Sequence, residues 1–484
     1  MNLLYILGES HAPTMLGALG NPTIKTPNLD RLAARGVLFE NAYCASPLCV
    51  PARAALATGR HPHESGFWES SMPFDGTVDS WMSRLRNVGH EVVGIGKMHF
   101  RSAADDNGFS REIDTMHIAD GVGDLVGALR CINQEPIYHG LWELWTTRFG
   151  IGEDDSYRQY DERIVGHAIR WLENESPKQT KPWALSVHLV AAHAPFIVPQ
   201  PFFDLYQDVE MPMPVQFSAE ERPNHPAITH LRRILGHTDD LTIEQVQAIH
   251  KAYHATISYL DAQVGKLLDT LDALDLTEDT LVIYTADHGF SCGDHYVMGL
   301  FHLFEDTISV PLIMAGPNLP QGEKRADPVS HVDLYPTILE QFGLALNAEE
   351  KSLSAQSLWP IITGAEQRET AFVEYHGCAA QSGGFVVRSA KWKLIYYLGT
   401  PPMLFNLADD PRETTDLAAE NQDVVADLMG QLHSWVDPIA VDKQAKADQW
   451  NLVEQHGGPA KILRERGGFA YSPPPGMQWQ EMVE

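Results

Sequence analysis

The chain has 484 residues, of which 44% are hydrophobic, so it can bury a large core and form more than one domain. Its formal net charge of −29 argues against nucleic acid and anionic membranes as partners, because both would repel it. The five cysteines are few and scattered, which argues against a disulfide framework. No apolar stretch reaches the roughly 20 residues of a membrane-spanning helix, and no signal-peptide pattern precedes the first apolar run. These features predict a cytoplasmic protein.

Apolar runs alternate with helical stretches along the first three quarters of the chain. The longest helical stretch lies at 242–271, where apolar residues recur every three or four positions behind Thr242 as a cap. The runs with the length and continuity of buried strands are 3–7, 91–95, 183–190, 280–285 and 310–315. This alternation predicts an α/β fold with a doubly wound, mostly parallel sheet flanked by helices.

Polar residues stand at or just after the ends of four of these runs. In doubly wound sheets, ligands bind beyond the carboxyl ends of the strands, so we expect these side chains to share one site. Lys97 and His99 are two positions apart on a strand-like segment and are expected to face the same side. The residues at these ends are Glu9, Lys97, His99, His193, Asp287 and His288.

From about residue 366 the pattern changes to short strand-like runs separated by glycine and polar turns. These runs lie at 370–375, 385–389 and 392–398, and an amphipathic stretch follows at 423–436. They predict a smaller antiparallel sheet with one helix packed on it. We therefore predict a catalytic domain over 1–365 and a C-terminal subdomain over 366–484.

Two regions lack a clear period. Residues 101–158, which include the aromatic cluster GLWELW at 140–145, are expected to lie over the rim of the site as loop and short helix. Residues 437–484 are expected to form an extended tail whose apolar side chains need another surface, either a neighbouring subunit or their own chain. Those side chains are Trp450, Leu452, Ile462, Phe469, Tyr471 and Trp479.

Cys49 opens the segment CVPAR, in which Pro51 and Arg53 follow on the approach to a predicted helix. Pro51 can start a helix because its missing N–H would be unpaired there, and a helix N-terminus beside a guanidinium favours an anion. A buried structural cysteine fits these five residues equally well. The segment resembles the C-x-P-x-R signature of the type I, formylglycine-dependent sulfatases of the alkaline-phosphatase superfamily.

Other segments carry the same resemblance in the same order along most of the chain. The segment GKMHF is similar to choline sulfatases in particular. The resemblance implies hydrolysis of sulfate monoesters, with two alternatives: a phosphonate monoester or phosphodiester hydrolase, and a sulfatase-like binding protein that has lost turnover. The segments are LLYILGESH (3–11), GKMHF (96–100), HLVAAHAPF (188–196), LVIYTADHGFSCGDH (281–295) and MLFNLADDPRETTDLA (403–418).

The resemblance also implies a role for each site residue. A maturation enzyme would convert Cys49 to formylglycine, whose hydrated aldehyde attacks the sulfur of a small sulfate ester. Lys97 would bind the sulfate oxygens, and Arg53 and Lys97 would hold the negative charge that spreads as sulfur is attacked. His99 would contact the second formylglycine hydroxyl, and His193 would protonate the departing alcohol. A homodimer or homotetramer is implied as well.

The resemblance implies a divalent metal at the same site. Ca²⁺ is favoured, with Mg²⁺ and Mn²⁺ as alternatives, because the oxygen ligands are those of a hard cation and one imidazole accompanies them. The implied ligands are Glu9, Cys49, Asp287 and His288.

The chain departs from the family pattern at two places. The family has an aspartate where this chain has Glu9, and usually a second aspartate or an amide where it has Ser10. A glutamate is one methylene longer and can still bind a hard cation. The family often has a lysine where this chain has Leu300, and His302 either substitutes for it or has a structural role.

Overall fold

The computed structural model describes residues 1–152, 156–237, 241–466 and 472–477. Its strands are β1 Asn2–Gly8, β2 Gly36–Tyr43, β3 Val92–Lys97, β4 Arg111–Met116, β5 Phe149–Ile151, β6 Ala184–His188, β7 Phe196–Val198, β8 Thr280–Ala286, β9 Ser291–Cys292, β10 Met298–Gly299, β11 Ser309–Ala315, β12 Glu323–Arg325, β13 Val329–Ser330, β14 Thr370–Tyr375, β15 Gly384–Ser389, β16 Trp392–Tyr397 and β17 Met403–Asn406. Its α-helices are α1 Pro27–Ala34, α2 Cys49–Thr58, α3 Pro62–Ser65, α4 Trp81–Asn87, α5 His139–Thr147, α6 Ser156–Asn174, α7 Gln200–Asp204, α8 Pro226–Ile234, α9 Ile243–Ala273, α10 Glu305–Ile308, α11 Leu334–Gln341, α12 Trp359–Ile362, α13 Gln422–Trp435, α14 Pro438–Gln455 and α15 Pro459–Arg466.

The central sheet has the strand order β12-β2-β11-β8-β1-β6-β3-β4, and β13 also pairs with β2. The strands β8, β1, β6, β3 and β4 run parallel to one another. The strand β11 pairs antiparallel with both β2 and β8. The predicted α/β fold with a mostly parallel sheet is therefore confirmed, and the run at 310–315 forms its antiparallel member.

Burial and capping explain why these segments form these elements. The strands β6, β8 and β11 are buried along their whole length, as continuous apolar runs inside an α/β sheet require. Helix α9 begins behind Thr242, whose side chain accepts a hydrogen bond from the Gln245 N–H as the sequence predicts. Helix α6 packs on β3 and β6, and α1 packs on β2 and β11.

The C-terminal sheet is antiparallel, with the strand order β14-β15-β16-β17. It confirms the three predicted runs and adds β17, and α13 packs on β15 and β16. A separate hydrophobic cluster that includes Phe385, Leu404 and Leu432 lies between this sheet and the helix. The strand β14 also contacts β2 and β13, and the domain boundary at residue 365 stays a prediction.

Most of the described part of the C-terminal tail is helical, which differs from the expected extended segment. Residues 438–466 form α14 and α15, and α14 packs on a short 3-10 helix at Gly127–Ile132 of the same chain. There the buried Arg130 side chain donates hydrogen bonds to Gln449 Oε1 at 3.0 Å and Asp442 Oδ1 at 3.2 Å. Polar contacts of this kind leave no apolar stripe in the sequence, so periodicity could not reveal the helix.

The apolar tail residues divide between described and undescribed positions. Ile462 is buried, and Trp450 and Leu452 pack partly buried against the main core. Phe469, Tyr471 and Trp479 lie outside the described residues. Within the described ranges, no helix combines the length and the apolar character that a bilayer crossing requires.

Candidate active site

The carboxyl ends of neighbouring strands bring the predicted site residues together. Glu9 follows β1, Asp287 and His288 follow β8, and Lys97 ends β3. Helix α2 begins at Cys49, beyond the end of β2. One ligand atom from each of Glu9, Cys49, Asp287 and His288 lies within 4.8 Å of all the others, and all four residues are buried.

The Cys49 thiol lies at the N-terminus of α2 and points at the carboxylate cluster. Its Sγ donates to Glu9 Oε1 at 2.9 Å and lies 3.2 Å from His288 Nε2. Burial, followed by the charge of Glu9, raises the pKa of the Cys49 thiol well above its usual value. The unmodified side chain is therefore a protonated thiol, which is a weak nucleophile.

Two cations hold the carboxylates of the cluster. Arg53 Nε donates to Asp287 Oδ2 at 2.9 Å, another guanidinium nitrogen donates to Glu9 Oε2, and Lys97 Nζ lies 2.8 Å from Glu9 Oε1. Burial alone would raise the pKa of Glu9, but Lys97 and Arg53 hold it well below its usual value. Burial and the charge of Glu9 raise the pKa of Asp287. The buried charges thus compensate one another.

Arg53 contacts the carboxylates of the cluster and the end of β3. Its guanidinium also donates to the Lys97 carbonyl oxygen and lies 3.3 Å from His188 Nδ1. The described residues that line the cavity next to Cys49 include Lys97 but not Arg53. The guanidinium is therefore placed to orient Glu9 and Asp287, and the predicted role of Arg53 in holding negative charge during the reaction stays a prediction.

Lys97 and His99 reach the same cavity, but strand alternation is not the reason. The strand β3 ends at Lys97, and His99 has a φ of 55°, in the left-handed region. Gly96 has a φ of 98°, and a Cβ there would lie 2.1 Å from the His188 carbonyl oxygen, so only glycine fits. The chain turns at this point and directs both side chains inward.

The two histidines of the cavity are neutral at pH 7. Among the described residues, neither ring nitrogen of His99 has a hydrogen-bond partner, and burial, with Lys97 and Arg53, lowers its pKa well below the usual value. His193 Nδ1 lies 2.5 Å from the Ala194 carbonyl oxygen. Burial and the charge of Lys97 lower the pKa of His193 to about 4.

A cavity with a volume of about 50 Å³ opens next to Cys49. Lys97, His99 and His193 line it on the side of the cluster. Described residues of the region 101–158 form much of the remaining wall, as the sequence predicts, and the tail contributes Ser472, whose carbonyl oxygen accepts a hydrogen bond from Tyr157. The other lining residues are Leu48, Val50, Ser70, Ile118, Gly123, Asp124, Leu141, Leu144, Trp145, Tyr157, Leu300 and Phe301.

Leu300 and His302, the two residues considered for the place of the family lysine, lie in different environments. Leu300 lines the cavity, whereas His302 does not and is fully buried. Its Nδ1 lies 3.4 Å from the Phe304 N–H nitrogen, and its ring lies 5.6 Å from the Phe304 ring. Burial lowers the pKa of His302 well below the usual value. His302 thus has a structural environment and does not supply a cation to the cavity.

Sequence reasoning missed three residues of the site. His188 ends β6. Its Nδ1 lies 3.2 Å from the Lys97 carbonyl oxygen, and its Nε2 lies 2.7 Å from Ser186 Oγ. The strand-end rule that identified Glu9 could have found it. Asp124 and Ser472 lie in segments without periodicity and gave no signal in the sequence.

Two family models and several curated proteins match this chain. The sulfatase family model matches residues 1–344, and a second model, described as the C-terminal part of N-sulphoglucosamine sulphohydrolase, matches residues 293–438. The choline-sulfatase of Rhizobium meliloti (strain 1021) is 31% identical over 404 residues, which cover 82% of this chain and 78% of the relative. Arylsulfatase K of Danio rerio is 28% identical over 474 residues, which cover 91% of this chain and 85% of the relative.

The fold has solved counterparts as well. The phosphonate monoester hydrolase of Agrobacterium radiobacter superposes with a TM-score of 0.70 at 23% identity, covering 92% of this chain and 96% of that structure. At this identity the likeness shows a shared fold and nothing about the substrate. The family match over 1–344 and the 31% identity over most of the chain carry more weight. Together they show that the chain belongs to the sulfatase family, the sulfuric ester hydrolases.

Proposed function

We propose that this sulfatase cleaves small sulfate monoesters to an alcohol and inorganic sulfate in the cavity beside Cys49, with formylglycine made from Cys49 as the nucleophile. One observation carries the proposal. The Cys49 side chain starts α2 and points at a buried cluster of Glu9, Asp287 and His288, while Lys97 and His193 line the same cavity. Nucleophile, charge stabilisation and a proton donor thus surround one small space.

The environment of Cys49 favours a modified residue over a thiol nucleophile. Catalytic cysteines have a depressed pKa, whereas burial and Glu9 raise that of Cys49. A maturation enzyme that converts the thiol to formylglycine would remove this difficulty. Once installed, formylglycine supplies a hydrated aldehyde whose oxygen can attack sulfur. The first turn of α2 also favours negative charge beside it.

The residues present fit a divalent cation. Glu9 and Asp287 supply carboxylate oxygens, the ligands that Ca²⁺ and Mg²⁺ prefer. His288 Nδ1 lies 2.8 Å from the Gly289 carbonyl oxygen, which fixes the ring and leaves Nε2 facing Cys49 as a ligand atom. We propose that Glu9, Asp287, His288 and residue 49 hold Ca²⁺, with Mg²⁺ and Mn²⁺ as alternatives. When bound, such a cation offsets negative charge on the ester and the nucleophile.

The surrounding side chains have distinct proposed roles. Lys97 binds the sulfate oxygens, because its ammonium lies in the cavity wall. Arg53 orients Glu9 and Asp287 from behind. Both ring nitrogens of His99 lack a hydrogen-bond partner among the described residues. One of them can therefore accept a proton from the second hydroxyl of formylglycine.

His193 donates a proton to the departing alcohol, and it must first acquire that proton. Burial and the nearby Lys97 keep its pKa near 4 without substrate. An anionic ester beside Lys97 offsets that positive charge and raises the pKa of His193. Proton uptake by His193 therefore accompanies substrate binding.

One experiment separates this proposal from its two alternatives. Intact-mass and peptide analysis of the purified protein shows whether residue 49 is formylglycine, and rates are then measured on matched aryl sulfate, aryl phosphodiester and phosphonate monoester substrates. Formylglycine with a preference for the sulfate supports the proposal. Formylglycine with a preference for the phosphonate or phosphodiester overturns it, as does an unmodified Cys49 with tight sulfate binding and no turnover.

Two further expectations belong with this proposal. We propose a homodimer or homotetramer, and light scattering of the full chain tests it directly. We also propose a cytoplasmic location, which the five unpaired cysteines support because reducing compartments keep thiols free.

A further inference from the structure

His188 lies inside the molecule, where Arg53 meets the end of β3. It ends β6, which runs between β1 and β3, and it stands opposite Leu7 and Gly96 in the strand register. It is 6% exposed and is not among the described residues that line the cavity beside Cys49. His188 is therefore not placed to touch the ester, and any part it takes in the reaction passes through a neighbour.

That neighbour is the Arg53 guanidinium, whose three nitrogens all have partners. Nε donates to Asp287 Oδ2 at 2.9 Å, and Nη2 donates to Glu9 Oε2. Nη1 donates to the Lys97 carbonyl oxygen and lies 3.3 Å from His188 Nδ1. The backbone carbonyl and the imidazole thus hold the one nitrogen of the guanidinium that the carboxylates do not bind.

The hydrogen positions on the His188 ring follow from its partners. An arginine side chain is always protonated and only donates, so a hydrogen on Nδ1 would face a hydrogen on Arg53 Nη1. With the hydrogen on Nε2 instead, Nδ1 accepts from Arg53, and Nε2 donates to Ser186 Oγ at 2.7 Å. Burial, followed by the charge of Arg53, lowers the pKa of His188 well below its usual value, so the ring is neutral.

The position of Arg53 matters because it sets the position of the carboxylates. The guanidinium forms ion pairs with both Glu9 and Asp287, and Lys97 Nζ lies 2.8 Å from the other oxygen of Glu9. A shift of the guanidinium would therefore reach both carboxylates and, through Glu9, the Lys97 ammonium. Residues that orient metal ligands in this way typically contribute about 10- to 100-fold to metal affinity or activity.

We infer that His188 is a positioning residue for the reaction: its Nδ1 accepts a hydrogen bond from Arg53 and so holds the guanidinium against the two carboxylates of the cluster. Ser186 accepts the hydrogen bond from Nε2 and thereby keeps Nδ1 free of hydrogen. The inference rests on the proposed sulfate ester hydrolysis. It adds to that reaction a residue that acts through Arg53 and touches neither the ester nor the nucleophile.

Three substitutions of His188 test this inference in the formylglycine-bearing enzyme. Asparagine can place an amide oxygen near the position of Nδ1, glutamine places its amide near the position of Nε2, and leucine fills the space without a polar atom. With 4-nitrophenyl sulfate, we expect His188→Leu and His188→Gln to lower kcat by about 10- to 100-fold, whereas His188→Asn should stay within about fivefold of the wild type. A loss of less than about threefold in His188→Leu overturns the inference. Equal losses in His188→Asn and His188→Leu, or equal activities of His188→Gln and His188→Asn, overturn it as well.

Ser186 provides a second test, which does not depend on the folding of His188→Leu. Ser186→Ala removes the acceptor of the Nε2 hydrogen, so we expect kcat to fall by about threefold to tenfold. In the His188→Asn background the same change should alter kcat by less than about twofold, since asparagine has no atom at the position of Nε2. An unchanged kcat in Ser186→Ala, or equal falls in both backgrounds, counts against the inference.

His254→Leu is the matched control for the loss of a buried histidine. His254 lies on α9, is 2% exposed, and its Nδ1 lies 2.8 Å from the His250 carbonyl oxygen. It is not among the described residues that line the cavity. We expect its kcat to stay within about twofold of the wild type at a temperature where circular dichroism shows the variant to be folded. A loss as large as that in His188→Leu would speak against a specific role of His188.

A measurement without turnover separates this inference from the proposed function. In crystal structures of the variants, we expect the Arg53 guanidinium to shift by about 1 Å or more in His188→Leu and to keep its contact with Asp287 in His188→Asn. An unmoved guanidinium in His188→Leu overturns the inference whatever the activity of that variant. If the guanidinium moves as expected while formylglycine-bearing wild type hydrolyses no sulfate ester, the proposed function fails and the role of His188 toward Arg53 stands.

Discussion

The side of the cavity next to Cys49 and the side next to Asp124 are built in different ways. The first consists of residues at the ends of β1, β3, β6 and β8, neighbours in one sheet. The second consists of Gly123 and Asp124, residues of α5 and Ser472 of the tail, which come from separate parts of the chain. The ends of the sheet strands thus bring the proposed reacting groups together, while segments outside the sheet form the rest of the cavity wall.

The two sides also differ in how they tolerate substitution. Next to Cys49, Arg53 and Glu9 are almost fully buried and form an ion pair, so removal of one leaves the remaining buried charges imbalanced, at a cost of up to about 3–5 kcal/mol. The side of the cavity next to Asp124 is mostly apolar. We therefore expect large effects on turnover at the first side and smaller effects on substrate affinity at the second.

The largest effect should come from Cys49→Ala. Without the nucleophile, turnover of 4-nitrophenyl sulfate should fall by about 10⁴-fold or more. Folding and sulfate binding should persist, because alanine is tolerated in the first turn of α2. Cys44→Ala is the matched control, since Cys44 is a buried cysteine outside the cluster and should retain most activity. An undiminished rate in Cys49→Ala would remove the formylglycine mechanism.

His193→Ala should slow alkyl sulfates by about 10² to 10⁴-fold, because an alkoxide needs a proton as it leaves. Esters of acidic phenols should lose less than about tenfold, since their anions leave unaided. The measurement is kcat/KM across a series of leaving-group pKa values. A loss of equal size across the series would make His193 a binding or structural residue.

Substitution of the proposed metal ligands should have the next largest effect. Asp287→Asn and Glu9→Gln should weaken metal affinity by about 10- to 100-fold, with activity partly restored by excess Ca²⁺. Activity after chelation is measured as a function of added cation. Asp261→Asn is the control, because Asp261 is a buried acid that accepts hydrogen bonds from Asn28 and Leu29, far along the chain from the cluster. Full activity after exhaustive chelation would refute the metal assignment.

On the side of the cavity next to Asp124, a stop codon after Arg466 should raise KM by about threefold to tenfold and change kcat by less than about twofold. The truncation removes Ser472 from the cavity wall and the hydrogen bond it accepts from Tyr157. Steady-state kinetics on a small sulfate ester give both parameters. A large fall in kcat at constant KM would show that the tail acts on the chemistry.

The smallest effect should be a pH dependence of sulfate binding. His193 has a pKa of about 4 in the free site, lowered by burial and Lys97, and a bound anion raises it. A group whose pKa rises on binding takes up a proton, so sulfate affinity should increase severalfold as the pH falls from about 7 to about 5. Calorimetry in two buffers of different ionisation enthalpy measures the uptake. His193→Ala should abolish it.

The positions of the strand ends allowed part of the site to be predicted from the sequence. Continuous apolar runs predict buried strands, and the polar residues after Gly8 and Ala286 are then expected to meet, because parallel neighbours end at one edge. The rule placed Glu9 and Asp287 correctly in space. Strand alternation, in contrast, does not explain why Lys97 and His99 reach the same cavity. The chain turns after Gly96, where the His188 carbonyl oxygen leaves no room for a Cβ.

By itself the sequence determined the α/β fold, the C-terminal sheet and the resemblance to sulfatases, because periodicity and local motifs act over a few residues. Only the tertiary structure decided that Arg53 faces the carboxylates, that α14 packs on Arg130 through polar contacts, and that Asp124 and Ser472 reach the cavity. Those contacts join residues that are far apart in sequence and leave no periodic trace. A buried charged side chain points toward the neighbours that compensate its charge. Tertiary packing is what brings those neighbours together.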